Sequence, residues 1–405
     1  MRDQFDVVIV GAGAAGLAAA LRLAGQPLSV AVLEARDRRG GRAHTIESPV
    51  GPIDLGCGWL HSADENPLVP LIAQAGLAID SSRPAWAKPA LNRDFPPEDQ
   101  QAFNEAFTAF DQRVAAAAHT GIDRPTSDLF EPNGRWNPML DAVSTYYNGA
   151  EFSEVSILDY DAYEDSGLNW RVRDGYGAAI LALAASTPVI TGCEVLRLHR
   201  GRELRLDTSQ GTITARAVIL AVPTPVLPRL IADLPEKLEA AAGLPLGLAD
   251  KIFFQLVDPA ALPEDEQMFG KIGVTETASY TLRPLGRPYI EGFLGGAHAR
   301  ALGQTGEAAQ IDFALGELTA LLGSDFRSKL TPIAATRWAQ DPYALGSYSH
   351  ALPGSAGCRA VLAAPVENRI FFAGEATSPS FYSTAHGAWE SGVRAADEAL
   401  AALGL

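Results

Sequence analysis

Residues 5–10, FDVVIV, run straight into GAGAAG, and this junction constrains the fold more than any other part of the chain. A short apolar run rich in β-branched residues reads as a buried strand. After the glycine turn an Ala/Leu helix is expected from about Ala14 to Ala24, and SVAVLEA supplies a second strand ending near Glu34. Strand, glycine turn, helix and strand make one βαβ unit, the context in which G-x-G-x-x-G cradles a dinucleotide. Gly11 permits the tight turn, Gly13 lets a pyrophosphate approach the backbone, and Gly16 lets helix and strand pack closely. The N–H groups that open the helix at Ala14 and Ala15 face the phosphates with the positive end of its dipole. Glu34 lies 18 residues past Gly16. A carboxylate there accepts hydrogen bonds from both hydroxyls of an adenosine ribose and repels a 2′-phosphate, which disfavours NADP.

The rest of the chain is long enough for two or three domains, at 405 residues, and its 47% hydrophobic content argues against disorder. With 32 Lys and Arg against 48 Asp and Glu, the formal charge of −16 makes nucleic acid and anionic membrane poor partners. A negative field favours cationic small molecules. Cys57, Cys193 and Cys358 form no disulfide framework and no zinc spacing, so no metal is expected and the thiols read as reduced. No run of about 18 apolar residues suggests a membrane span. A strand beginning at Phe5 leaves no room for a signal peptide, and the terminal ALAALGL carries no lipidation or retrieval signal. A cytoplasmic protein is expected.

A boundary is placed in the Pro- and Ala-rich stretch 83–97. Beyond it Phe103, Phe107, Phe110 and Val114 recur at helical spacing and define one apolar face. Residues 121–137 read as a loop, and DGYGAAILALAA resumes a helix over 174–185. Strands are expected within 189–222 and at IFFQLV, YIEGFLGG and IAATRW, which alternate with helices in a second, mixed α+β region. The last 40 residues return to a buried strand, RIFFAG, and a long helix from about Thr384.

A second glycine-rich stretch follows Glu34. In ARDRRGGRAHT, Gly40 and Gly41 allow another close backbone approach, and Arg42 is placed to reach the same pyrophosphate. Near the far end, FFAGEATS and STAHGAWESGVRAA put Gly374 and Glu375 at a strand end and offer another helix N-terminus. Two glycine-lined sites at opposite ends of the chain suggest one long ligand spanning them, and FAD is such a ligand. At this point the sequence resembles the flavin-containing amine oxidases, the monoamine and polyamine oxidase group. The resemblance covers most of the chain and rests on VVIVGAGAAGLAAALRL, VLEARDRRGGRAHT, DLGCGWLHSADENPLVPLIAQAGL, VRDGYG, AVILAVPTPVL, LADKIFFQ, RWAQDPYALGSYS and FFAGEATSPSFYSTAHGA. WLH followed by NPL looks more like the polyamine-oxidase and histone-demethylase branch.

The resemblance implies an α/β fold. A discontinuous Rossmann-like FAD-binding domain of glutathione-reductase type (1–82, 174–245 and 346–405) would join a substrate domain with a mixed sheet and helices (83–173 and 246–345). It implies that Gly11 to Gly16, Glu34, Ala35, Arg36, Gly41, Arg42 and the backbone of Val195 hold the ADP half. Gly56, Cys57, Gly58 and Trp59 would lie along the flavin, Gly374 and Glu375 would meet the ribityl or pyrophosphate, and the helix opening at Thr384 and Ala385 would face the flavin N1–C2=O edge. Negative charge on reduced flavin is stabilised there by a helix N-terminus. Lys251, a lysine among apolar neighbours that is costly unless paired, matches the family lysine that binds a water at flavin N5. Ser347 stands where covalent-flavin relatives carry cysteine, so FAD is expected to be noncovalent. Tyr348 matches one wall of the aromatic cage that orients the amine. The opposite wall aligns with Thr384, with Phe381 or Tyr382 as candidates for the missing surface. His61 matches an active-site histidine of polyamine oxidases, and Trp338 a tryptophan near the flavin.

The implied reaction is oxidation of a C–H bond beside an amine nitrogen, with O2 as acceptor and hydrogen peroxide, aldehyde and amine as products. The partners would be a small amine and O2, with no nucleic acid and no membrane; nothing in the sequence indicates an oligomeric state. Amino-acid oxidases, protoporphyrinogen oxidases and carotenoid desaturases share the same glycine and Glu–Arg signatures. An amine dehydrogenase passing electrons to a protein carrier, and a flavoprotein without catalysis, are also compatible with them.

Overall fold

The computed structural model describes residues 3–405. Three widely separated parts of the chain meet in one sheet. Gln4–Val10 is its centre, paired in parallel with Val30–Leu33 on one side (Val7 with Val30) and with Gly211–Leu220 on the other (Val7 with Ala217). Ile370–Phe372 runs parallel to the end of Gly211–Leu220, while Leu204–Thr208 and Val195–His199 extend the sheet as an antiparallel ribbon. The parallel strands are nearly continuous apolar runs because both faces are covered. Val7, Ile9, Ile219 and Phe371 point to a layer formed by the helices Ala14–Leu23 and Ala385–Leu403. Val8, Val10, Val218 and Phe372 point the other way, toward Leu227, Leu230, Ala240, Ala241 and Leu362. The two helices pack closely at Gly392, where a Cβ would stand 2.0 Å from Ala15 O. The first strand starts at Gln4 rather than Phe5, and the first helix ends at Leu23. Glu34 lies one residue beyond Val30–Leu33, at the carboxyl edge of the sheet, where ligands of α/β folds bind.

A second sheet is antiparallel throughout, in the order Glu266–Phe269, Ser279–Leu282, Tyr289–Gly295, Ala249–Leu256, Leu330–Ala335. Three of these strands overlap the runs expected from sequence, although Leu330–Ala335 takes in only Ile333–Ala335 of IAATRW. Glu266–Phe269 and Ser279–Leu282 are additions to that expectation, because four residues among polar neighbours carry too little alternation to stand out. Ile252, Phe254, Ile290 and Leu294 face a core with Leu315 and Leu318 of the helix Glu307–Leu322. The opposite face carries Lys251, Glu291 and Phe293 toward a cavity. Below it lies a helical cluster. Pro97–Ala118 starts with proline, Glu98 and Asp99 in its first turn, a favourable N-terminus. It buries Phe103, Phe110 and Val114 against Met139, Leu140, Phe152 and Ile157, while Phe107 is only partly buried and reaches the cavity. Residues 121–137 hold only the short 3-10 turn Thr126–Leu129 before Asn137 starts a helix, and the helix expected over 174–185 spans Tyr176–Leu183.

Candidate functional site

One cavity of about 890 Å³ connects Gly11 and Glu34 at the edge of the first sheet with Lys251, Tyr348 and Phe293 beneath the second. Of the residues singled out from sequence, Gly11, Gly13, Ala14, Ala15, Glu34, Ala35, Arg36, Gly41, Arg42, Gly56, Cys57, Gly58, Trp59, His61, Val195, Lys251, Trp338, Tyr348, Gly374, Glu375, Thr384 and Ala385 all line it. Gly16 is absent from the wall. Its place is behind it, where a Cβ would stand 1.9 Å from Gly11 O, so it acts through packing alone.

At the nucleotide end, Gly11 adopts φ +100°, and a Cβ there would lie 2.5 Å from Ala221 O. Gly40 N donates to Ala12 O at 2.8 Å, which ties the two glycine turns together. Glu34 is 4% exposed. Its oxygens accept one N–H each, from Ala12 at 2.8 Å and Arg36 at 3.0 Å, leaving lone pairs for a diol. Arg36 is fixed by Asp341 at 2.6 Å and lies over the Tyr343 ring, 5.3 Å from its centroid. Tyr343 and Glu194 also line this end and escape recognition in the sequence, since neither sits in a motif.

In the middle, Arg42 borders the cavity beside Gly40 and Gly41. Its Nη1 donates to Ser347 O at 2.6 Å and pairs with Glu375 at 2.9 Å. Burial opposes the charge of Glu375. Arg42, the Ser349 hydroxyl at 2.6 Å, Arg359 and the Ser383 N–H at 3.0 Å nevertheless hold its carboxyl below the usual range. Gly56 is required for close approach, since its Cβ would fall 1.6 Å from Arg42 O. Trp338 is anchored by an Nε1–H bond to Leu55 O at 3.2 Å. Burial pushes the Cys57 thiol up to about 12, so it is an inert wall residue.

At the far end, Thr384 caps the 19-residue helix Ala385–Leu403. Its hydroxyl accepts from Gly387 N at 3.0 Å and donates to Phe381 O at 2.6 Å. That leaves the helix mouth open to the cavity at Thr384 and Ala385. Tyr348 donates its hydroxyl proton to the backbone oxygen of Tyr146, and burial pushes its phenol well above the ordinary range. Of the two candidates for the surface that Thr384 does not supply, Tyr382 lines the cavity and makes a T-shaped pair with Tyr163 at 5.3 Å, whereas Phe381 packs on His386 instead. Lys251 is 7% exposed and paired, its Nζ lying 2.9 Å from Glu291 Oε1 and 3.0 Å from Asp54 O. Burial works against its charge, but Glu291 and Asp54 outweigh burial and hold it above the usual lysine range. His61 Nδ1 lies 2.6 Å from Asn169 Oδ1, and burial keeps the imidazole neutral by lowering its pKa.

Beyond Lys251 the wall becomes aromatic and acidic, with Phe107, Tyr146, Tyr147, Tyr160, Tyr163 and Trp59 accompanied by Asp111, Asp161, Asp165 and Glu291. Burial raises the pKa of Asp111, whose Oδ1 accepts a bond from the Tyr160 hydroxyl at 3.2 Å. The arginines among the lining residues are Arg36, Arg42 and Arg229. Each is already engaged: Arg36 and Arg42 are held by Asp341 and Glu375, and Arg229 bonds Pro342 O.

The sequence model of the family described as flavin containing amine oxidoreductase matches residues 14–159 and 126–400. The chain belongs to that family. It is 30% identical to polyamine oxidase 4 of Oryza sativa subsp. japonica, over 97% of this chain and 88% of that protein. It is 29% identical to polyamine oxidase 2 of Arabidopsis thaliana, over 97% and 87%. Lysine-specific histone demethylase 1 homolog 2 of O. sativa is 30% identical over 98% of this chain but only 57% of its own length. The fold is that of cyclohexylamine oxidase from Brevibacterium oxydans, with a TM-score of 0.79 at 22% identity, covering 99% of this chain and 100% of that one. A putrescine oxidase variant matches with the same TM-score at 20% identity. The chain therefore sits in the polyamine-oxidase branch of the amine oxidases, a flavin-dependent oxidoreductase of amine donors with an α/β FAD-binding fold.

FAD is its cofactor, and the residues present suit it. Glycine turns clear the backbone at Gly11, Gly41 and Gly56, a buried carboxylate lies at one end, and the mouth of a long helix opens at the other. Among the described residues no cluster of three His, Cys, Asp or Glu is placed to hold a metal, and no helix is long and apolar enough to cross a membrane.

Proposed function

We propose that this enzyme oxidises the C–N bond of a primary or secondary amine, with a polyamine-like substrate favoured, giving imine and then aldehyde while O2 becomes hydrogen peroxide. The observation that carries this reading is the chamber beyond Lys251, whose aromatic walls hold carboxylates, while among the described residues the only arginines lining the cavity are Arg36, Arg42 and Arg229. Such a wall attracts a cation and disfavours a free carboxylate, which weighs against an amino-acid oxidase. When bound, FAD would supply the acceptor for the hydride equivalent lost from the carbon beside nitrogen.

The chain supplies position and charge. Glu34 and the glycine turns hold the adenosine and phosphates. Gly56–Trp59, Glu375 and the helix mouth at Thr384 hold the remainder without a covalent link, because Ser347 cannot form a thioether. Tyr348 and Tyr382 flank the reacting amine and favour its neutral form, whose lone pair drives the reaction. Lys251 would give one N–H to a water at the reacting edge, and His61 would give a polar contact to the substrate. The reading divides the chain into a cofactor portion (1–82, 174–245 and 346–405) and a substrate portion (83–173 and 246–345), supported by the two sheets, and places the protein in the cytoplasm. The test is a peroxide-coupled screen of the purified yellow protein. Diamines, spermidine, spermine, acetylated polyamines, monoamines and L-amino acids would be compared, with an artificial electron acceptor run in parallel. Turnover of amines with stoichiometric peroxide is expected. Turnover confined to amino acids, or to the acceptor without peroxide, would overturn the reading.

A further inference from the structure

Glu291 stands on Tyr289–Gly295, two residues before Phe293 and on the same cavity-facing side. Lys251 is in register with Phe293, and Phe253 with Glu291, so lysine and glutamate are diagonal neighbours across two strands. An ammonium has three N–H donors. One goes to Glu291 at 2.9 Å and one to Asp54 O at 3.0 Å, leaving one for the cavity. The loop backbone closes in on the other side, where a Cβ on Gly58 would lie 3.3 Å from Nζ. The Asp54 carboxylate is engaged elsewhere. It accepts from the Thr45 hydroxyl at 2.5 Å, Tyr176 N at 2.9 Å and Gly177 N at 3.2 Å, and burial raises its pKa. Thr336, on the neighbouring strand side, bonds the lysine backbone rather than Nζ. The other titratable neighbour, Cys57, is held as a thiol. Glu291 is thus the carboxylate that touches the ammonium itself.

We propose that Glu291 is the positioning residue of Lys251: its carboxylate pins the ammonium against the Asp54 carbonyl and cancels its charge. The flavin edge then meets one oriented N–H donor within a neutral ion pair, rather than a free cation. This rests on the proposed placement of the reactive edge beside Lys251. A neutral pair lets a cationic amine enter without repulsion, while the donor stays protonated at working pH. Without Glu291, burial at Lys251 is opposed chiefly by the more distant Asp54 charge.

The test is the two-electron midpoint potential of the bound flavin, measured by dye equilibration from about pH 6 to pH 10, a range that spans the ordinary lysine titration once burial lowers it. The proteins compared are wild type, Glu291→Gln, Lys251→Met and the double variant, with Glu291→Met as a second version of the charge removal. In Glu291→Gln the bare ammonium should raise the potential at low pH. The rise should vanish at high pH, as Lys251 loses its proton, over a range of about tenfold in the reduction equilibrium, or about 30 mV. Lys251→Met should lower the potential throughout, because the carboxylate is left uncompensated. The double variant should show no lysine-dependent inflection. A Glu291→Gln profile parallel to wild type, or an inflection that survives in the double variant, would overturn the proposal. If neither single variant moves the potential at any pH, the placement of the flavin edge falls and the proposal falls with it. A shift in Lys251→Met alone would spare the placement and refute the pairing.

Discussion

Replacing Gly16 by alanine tests whether the glycine motif works by contact or by packing. A Cβ at this position would stand 1.9 Å from Gly11 O and 3.0 Å from Gly11 C, with Ile9 Cγ2 at 3.4 Å. The obstacle is backbone on a turn that Gly11 holds at φ +100°, so no side chain can swing aside. Reaching ordinary contact requires the helix Ala14–Leu23 to retreat by about 1.5 Å, a strain worth roughly 1–3 kcal/mol. On the proposed placement of FAD, the same shift would carry the N–H groups of Ala14 and Ala15 away from its phosphates. Two hydrogen bonds to a charged group, at about 1.5–3 kcal/mol each, would then weaken or break. Half of that loss, about 1.5–3 kcal/mol, raises the FAD dissociation constant by about 10- to 100-fold. The measurement is fluorescence titration of the apoprotein with FAD, alongside thermal unfolding. Gly316→Ala is the control. It sits in the helix Glu307–Leu322 with nothing within 4 Å of the added methyl, and should stabilise by about 0.5–1 kcal/mol without touching affinity. A Gly16→Ala protein that binds FAD within about threefold of wild type, a difference under about 0.7 kcal/mol, would refute the reasoning.

Arg359 and Asp159 are 3% and 2% exposed, with Nη2 to Oδ2 at 2.8 Å. Arg359→Leu or Asp159→Asn alone should cost about 3–5 kcal/mol in urea unfolding, and a double apolar replacement should recover part of it. Burial lowers the His386 pKa from 6.5 to about 3 and that of His350 from 6.5 to about 4. Each stays neutral in the fold where the unfolded chain takes up a proton, so stability falls as pH drops below about 6.5, by roughly 2 kcal/mol per histidine at pH 5. His386→Leu should flatten that acid limb by about its own share in denaturant titrations at pH 7 and 5, and an unchanged slope would contradict the assignment. Lys251→Met should retain yellow FAD yet slow reduction or reoxidation in stopped flow by about 100-fold, the scale of losing one oriented donor, and unaltered half-reactions would remove Lys251 from the chemistry.

The parts of the fold legible in the sequence are those whose physical demands are local. FDVVIV, IFFQLV and RIFFAG announce buried strands by continuous apolar character, and the glycines announce backbone contacts that no other residue allows. Glu266–Phe269 and Ser279–Leu282 are illegible because they are strands only by virtue of their neighbours, paired in turn to Tyr289–Gly295. Gly16 is legible as a packing residue, and the structure keeps it off the cavity wall for that reason.

The site divides along the same line. Glu34 can be read because its place follows from the length of one βαβ unit. Arg42 can be recognised but not assigned its partners, since Ser347 and Glu375 come to it from more than 300 residues away. Tyr382 owes its place on the wall to Arg359, whose guanidinium lies 3.6 Å from its ring centroid, and to Asp159 O, which accepts its hydroxyl proton. Glu291 carries no motif at all. Its meaning arises from register, because a slip of one residue between Ala249–Leu256 and Tyr289–Gly295 would turn it from Lys251 toward the apolar core on the other face. The lysine in LADKIFFQ shows that some partner is needed, because a buried ammonium requires one. Which carboxylate answers it is decided by strand pairing, so the chemistry of this sheet rests on the antiparallel register as much as on the residue types it carries.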